Sequence, residues 1–348
     1  MIVSQRRLLP IVHKLAPLAI IPLVLVLTSC SGSAQTTLAP ESDFADKIQF
    51  LLKLTFFSAV GVFVIVEGVL VWVLFRYRAP RVDPGIPNQI HGNTRLEVIW
   101  TIIPAVLLII VAYFTTPIIF ETQAAPPADA LKVHVIGHQW WWEFQYDDFK
   151  MPDGSLVTTA NELHLPVGKT ATFDLDSADV MHSFWLPRLG GKRDVIPNHT
   201  NNLWWTADTV GTTPGQCAQY CGTSHANMRM DVVVQSQADF DAWMKDQQTP
   251  PSQQVAAGSV ADGKALFARS ACIGCHTIDG VSQGTVGPNL THVGSRGIIA
   301  SGILQNTPSD MAKWIKDPPA EKPGSLMPNL HLSDQDVNNL VAYLESLK

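Results

Sequence analysis

Charge is scarce in this chain. Only 16% of its 348 residues are Asp, Glu, Lys or Arg, and 24 basic residues face 30 acidic ones. Without a basic surplus there is no footprint for a polyanion, which excludes nucleic acid as a partner. The balance is also uneven, because residues 129–246 hold 15 Asp/Glu against 8 Lys/Arg. That acidic region suits basic proteins or cations. Cysteine is scarcer still: the five, at 30, 217, 221, 272 and 275, include two close pairs, each with a histidine nearby. Such pairs point to metal or haem chemistry rather than a disulfide framework, with two local disulfides as the competing reading.

Apolar sequence is plentiful, at 46% of the chain, and its long runs lie within residues 1–120. Arg6, Arg7 and Lys14 precede the run Leu15 to Leu27, which ends in Leu27-Thr28-Ser29-Cys30. A charged start, a short apolar segment and small residues describe a secretory signal over residues 1–29. Its end resembles a bacterial lipobox, which implies cleavage before Cys30 and lipidation of its thiol; an uncleaved anchor is the alternative. Residues 30–49 then read as a tether. Two further runs, about 50–75 and 98–120, are each long enough at ~1.5 Å per residue to cross a ~30 Å hydrocarbon core. Arg76, Arg78, Arg81 and Arg95 between them mark the connecting loop as cytoplasmic. Both ends of this hairpin, spanning 50–121, therefore face outward in a multi-pass membrane protein. Glu67, inside the first run, and Glu97, at the cytoplasmic start of the second, are candidates for function because hydrocarbon penalises carboxylates. For Glu97, an interfacial carboxylate is the plainer reading.

Residues 124–244 are short, β-rich and punctuated by turns. Strands are expected at 132–136, 140–146, 161–165, 171–175, 202–206 and 231–235, separated by signals such as Pro152-Asp153-Gly154. This spacing predicts a small β-sandwich or barrel. It carries His182 and, later, Cys217, Gln219, Cys221, His225 and Met228. Two thiolates, two imidazoles and a thioether suit copper better than calcium or magnesium, and two cysteines four apart can bridge a pair of ions. A zinc site of His182, Cys217, Cys221 and His225 competes. So does a helical core stripe, which Gly215 and Gly222 disfavour.

From about residue 44 to 245 the chain resembles subunit II of cytochrome c oxidase. The resemblance is carried by Glu97-Val98-Ile99-Trp100-Thr101-Ile102-Ile103-Pro104-Ala105, Gly137-His138-Gln139-Trp140-Trp141-Trp142, His182-Ser183-Phe184-Trp185, Gly190-Gly191-Lys192-Arg193-Asp194 and the run from Cys217 to Met228. It implies a two-helix transmembrane hairpin bearing a cupredoxin-like barrel with binuclear copper A. Cys217 and Cys221 would bridge the two ions, His182 and His225 would be terminal, and Met228 and the Gln219 carbonyl would be weak ligands. Most members have glutamate at 219, whose side chain helps bind magnesium at the subunit I interface. Gln219 leaves the copper reading intact and the magnesium doubtful. Trp140 falls at the family's electron-accepting tryptophan, expected as an exposed aromatic, and Glu97 at the mouth of a proton path.

Residues 245–259 have a linker composition. Beyond them Cys272-Ile273-Gly274-Cys275-His276 is the C-x-x-C-H of covalent haem c attachment, with His276 as an iron ligand. Helices are expected over 262–271 and 334–347, making 260–348 an all-α domain. Met327-Pro328 resembles the second axial ligand of class I cytochromes c; Met311, His292 and His331 are the alternatives. Gly287-Pro288 matches the same family, where the proline carbonyl orients the proximal histidine.

The resemblance implies an electron-transfer subunit of a proton-pumping haem–copper oxygen reductase in a bacterial inner membrane, with its copper and haem domains on the periplasmic or extracellular side. Electrons would run from an external donor to haem c, copper A and haem a of subunit I, with subunit III and membrane lipid as further partners. Oxygen chemistry would belong to those partner subunits. Three rivals remain: a quinol oxidase subunit, a nitric or nitrous oxide reductase subunit with the same centres, and a copper-delivery lipoprotein.

Overall fold

The computed structural model describes residues 35–78, 89, 91–251 and 258–348. The expected signal peptide, Cys30, Arg81 and the middle of the linker lie outside the described residues.

Helix α1 runs Asp43–Arg76 and α2 runs Thr94–Thr122. Both are long and largely apolar, as expected of helices whose surroundings are hydrocarbon. α1 begins seven residues before the apolar run because Ser42 caps it, accepting from the Ala45 N–H at 3.0 Å. Asp43 and Asp46 then meet the positive end of its dipole. At the start of α2, Asn93 accepts from the Leu96 N–H, while Glu97 Oε1 accepts from the Asn93 N–H at 3.1 Å. Lys47 pairs with Glu121 at 2.8 Å and Phe50 meets Phe114 edge-on at 5.7 Å. These contacts join the beginning of one helix to the end of the other, so the two are antiparallel.

The barrel consists of two five-stranded sheets. One has the order β3(Leu156–Ala160), β2(Trp141–Lys150), β1(Leu131–His138), β5(Thr170–Ser177), β8(Asn201–Thr206). The other has the order β4(Glu162–Pro166), β10(Arg229–Gln235), β9(Gly211–Cys217), β6(His182–Leu186), β7(Gly191–Val195). Period-two alternation turns Val133 and Val135 of β1, and Trp142, Phe144 and Tyr146 of β2, inward. Between the sheets Phe173 stacks on Trp205 at 4.0 Å, with Phe184 beside both. Helix α3 (Gln237–Gln247), capped by Ser236, closes one end with Phe240 and Met244 buried. The linker therefore starts later than expected, since residues 245–247 still belong to this helix.

The last domain has α4 (Ser259–Arg269), α5 (Pro308–Lys316), the single turn α6 (Pro318–Glu321) and α7 (Asp334–Glu345). It is helical apart from two ribbons of two-residue strands. α4 and α7 cross at Gly263, where an added Cβ would lie 2.0 Å from the Asn339 carbonyl oxygen.

Candidate metal and haem sites

β9 pairs with β6 so that Phe184 faces Cys217, and with β10 so that Gln216 faces Arg229. That register puts the start of β6, His182, beside the end of β9, and folds the 217–228 loop back over both. Cys217 and Cys221 are buried free thiols with their sulfurs 3.8 Å apart. His182 Nδ1 is 3.9 Å from the Cys217 sulfur and His225 Nδ1 is 3.5 Å from the Cys221 sulfur, one imidazole per thiol. Met228 Sδ lies 3.9 Å from Cys221, and the Gln219 carbonyl oxygen 3.2 Å from Cys217. The structure thus brings together all six sequence-predicted donors. A tetrahedral zinc needs only four, and leaves the thioether and carbonyl unused. Paired soft sulfurs with imidazoles on opposite partners fit two copper ions.

The surroundings orient the donors. Asp179 Oδ1 sits 2.8 Å from His182 Nε2, so that nitrogen carries the hydrogen and Nδ1 turns its lone pair to Cys217. Burial pushes Asp179 up, but hydrogen bonds from His182 and from the Val180 and Gln139 N–H groups hold it below its ordinary value. Burial opposes protonation of His182, yet Asp179 and Cys217 together raise its pKa. Contact with the Cys221 sulfur drops Cys217 to about 4, while Cys221 is itself pushed up by that neighbour and by burial. Gly137 is required beside them, since a Cβ there would come within 2.8 Å of the His182 ring. Asp179 carried no signal in the sequence, because its role depends on the turn before β6. Asp179→Ala is expected to weaken copper affinity by about 10- to 100-fold, measurable by competition with a copper chelator.

The haem residues also converge. A cavity of about 220 Å³ is lined by Cys272, Cys275, His276 and Met327, with Met311 and Trp140 among its other walls. His276 Nδ1 donates to the Pro288 carbonyl at 2.9 Å, leaving Nε2 free to ligate. Two half-buried free thiols, an oriented imidazole and a thioether around one largely apolar space fit a covalent haem. Met311 is 2% exposed and sits on α5, as a core residue would. Neither His292 nor His331 lines the cavity.

One expectation is corrected. Trp140 is buried, at 8% exposure, not displayed on the surface. Its Nε1 donates to the Cys221 carbonyl at 3.0 Å, and the haem domain covers its ring, with Gly324 against it. The domains meet along a polar seam. Glu162 Oε1 accepts from the N–H groups of Gly297 and Ile298 at 2.6 and 2.7 Å, and the Arg229 N–H donates to the Ser301 carbonyl at 3.2 Å. Trp140 thus lies between copper donors and haem cavity.

The family described as "Cytochrome C oxidase subunit II, periplasmic domain" matches residues 131–237, its transmembrane domain matches 34–118, and "Cytochrome c" matches 260–348. The chain is 36% identical to cytochrome c oxidase subunit 2 of Alkalihalophilus pseudofirmus, covering 94% of this chain and 95% of that one. It is 34% identical to the same subunit of Bacillus sp. strain PS3, over 94% and 95%. A quinol oxidase subunit 2 of Bacillus spizizenii is 34% identical over 66% of this chain and 71% of its own length.

Proposed function

This chain belongs to the cytochrome c oxidase subunit II family, and we propose that it feeds electrons into a respiratory haem–copper oxygen reductase. In this reading a haem on Cys272, Cys275, His276 and Met327 is the donor. A copper pair on Cys217, Cys221, His182, His225, Met228 and the Gln219 carbonyl is the acceptor, and haem a of subunit I comes next. When bound, the two groups supply one-electron redox couples. The placement of Trp140 between the two donor sets carries the proposal.

The protein's share is positioning. Asp179 and the Pro288 carbonyl each fix one imidazole by its non-ligating nitrogen. Buried walls exclude water, which limits the rearrangement that accompanies a change of charge. Trp140 packs against both sites and links the copper loop to the haem cavity. Glu97, held at the start of α2, is the candidate for the mouth of a proton path; subunit III, the lipid on Cys30 and proton pumping by the complex belong to the same reading. Gln219 offers no carboxylate for magnesium.

A quinol-oxidising subunit needs none of the copper donors, and all of them are in place here. A nitric or nitrous oxide reductase subunit remains the second reading, and oxygen against nitric oxide consumption by the purified complex separates the two. The decisive measurement is metal analysis with near-infrared absorption and EPR on the purified chain. Two coppers sharing one unpaired electron beside one haem c are expected; a single zinc without copper would overturn the proposal.

A further inference from the structure

Lys322, immediately after α6, is 4% exposed at the seam between haem domain and barrel. Its Nζ donates to the backbone carbonyl of Trp140 at 2.5 Å and to Ser301 Oγ at 2.8 Å. Ser301 Oγ donates to the same carbonyl at 2.7 Å, so one oxygen accepts from both. Among the described residues no carboxylate lies within ion-pair distance of this ammonium. Burial drives its pKa down to about 7.

A buried ammonium held by a carbonyl and a hydroxyl is an expensive fastening. An unbranched apolar side chain would fill the space without the desolvation cost of a charge. Stability alone does not account for it.

Its position does. Trp140 touches the copper loop through the Cys221 carbonyl and the haem cavity through its ring. Lys322 opens a six-residue stretch that ends on Met327, in the cavity wall. Along that stretch Ser224, three residues past Cys221, donates to the Pro323 carbonyl at 2.5 Å. Gly324, at φ +84°, lies so close to the Trp140 ring that an added Cβ would be 3.0 Å from it. The segment is pinned to the copper side at one end and borders the haem at the other.

We propose that Lys322 is a positioning residue: by gripping the Trp140 carbonyl it holds the Lys322–Met327 stretch, and the haem beside it, at a fixed separation from the copper loop. This rests on the electron-transfer reading above and adds the side chain that sets the interdomain rate. In the step concerned, one electron would pass from a haem bound in the cavity to copper bound by the 217–228 loop. The first is oxidised and the second reduced, with no bond or proton moved.

The test uses the full chain loaded with haem and copper. A soluble photosensitiser reduces the haem, and haem reoxidation is followed together with the copper near-infrared band. Lys322→Met should slow the transfer by about ten- to a hundredfold, the scale of one charge-assisted hydrogen bond. The slowed rate should become sensitive to solvent viscosity, because the domains must now find each other. The copper EPR signal and the methionine–iron absorption band should stay as in the parent, which a loss of fold would not allow. Ser301→Ala should slow transfer in the same direction, and the double variant should be slower than Lys322→Met alone, because Ser301 Oγ still donates to the same carbonyl when Lys322 is gone. Transfer at the parental rate in Lys322→Met would overturn the proposal; should that variant not fold, parental transfer in Lys322→Leu would do so. A parent chain that holds both centres yet transfers nothing between them would sink the functional reading instead.

Discussion

A Cys221→Ser chain should keep its haem and lose its copper. The Cys221 sulfur stands 3.8 Å from the Cys217 sulfur, 3.5 Å from His225 Nδ1 and 3.9 Å from the Met228 sulfur, within reach of three of the other donors. A serine oxygen is a harder donor, carries its proton at neutral pH and does not bridge two soft ions in the way a thiolate does. The swap removes little volume, so the barrel core around Trp142 and Phe184 should hold. We expect copper to fall to background by elemental analysis and the mixed-valence EPR signal to vanish. The haem absorption spectrum should stay at full strength, because the cavity around His276 is built from other elements. Oxygen turnover of the complex should vanish with the copper. A Cys221→Ser protein that still binds copper at full level would show that Cys221 is not one of its ligands.

The second large effect belongs to the haem domain. A Cβ on Gly263 would lie 2.0 Å from the Asn339 carbonyl oxygen, 2.7 Å from its carbon and 2.8 Å from the Tyr343 Cβ. Two of these atoms are backbone of α7 and cannot swing aside, so the α4–α7 crossing must open. Gly263→Ala gains about 1 kcal/mol of helix propensity. The overpacking it forces costs about 3 kcal/mol, so the steric term wins. Denaturant unfolding followed at the haem should shift to lower midpoint, while the copper EPR signal, reporting on the barrel, stays unchanged. Equal midpoints in parent and variant would mean that the crossing is looser than its spacing implies.

Much of this was legible in the sequence because it is local. The Cys217–Met228 run and Cys272-Ile273-Gly274-Cys275-His276 put most donors within a dozen residues of one another. The strands of β1, β2, β4, β5, β8 and β10 carry alternating β-branched and aromatic residues, and the expected runs overlap them. β9 did not show, because Gly211-Thr212-Thr213-Pro214-Gly215 has poor strand propensity and is held by pairing with β10 and β6. β7, with Lys192, Arg193 and Asp194, lacks an apolar alternation and is likewise held by its neighbour β6. Contacts distant in sequence were hidden altogether. Trp140 reads as exposed until Lys322 and Gly324, some 180 residues on, fold over it. Glu162 reads as an ordinary acidic strand residue, yet its carboxylate takes two backbone N–H groups from the other domain.

The polar start of α1 is welded to the barrel. Glu41 pairs with Arg188 at 2.5 Å, the Ser42 hydroxyl donates to the Leu189 carbonyl, and Asp43 accepts from the Thr206 N–H at 2.8 Å. At the far end of α2 the Trp204 indole donates to the Ala124 carbonyl at 2.8 Å. With 34 residues, α1 is about 51 Å long at ~1.5 Å per residue, well beyond a ~30 Å hydrocarbon core. A bilayer that thins must therefore be met by tilt of the helix pair. Tied to the barrel at both ends, the hairpin and the barrel are expected to move together. A change in lipid thickness is therefore expected to tilt the barrel together with the helix pair.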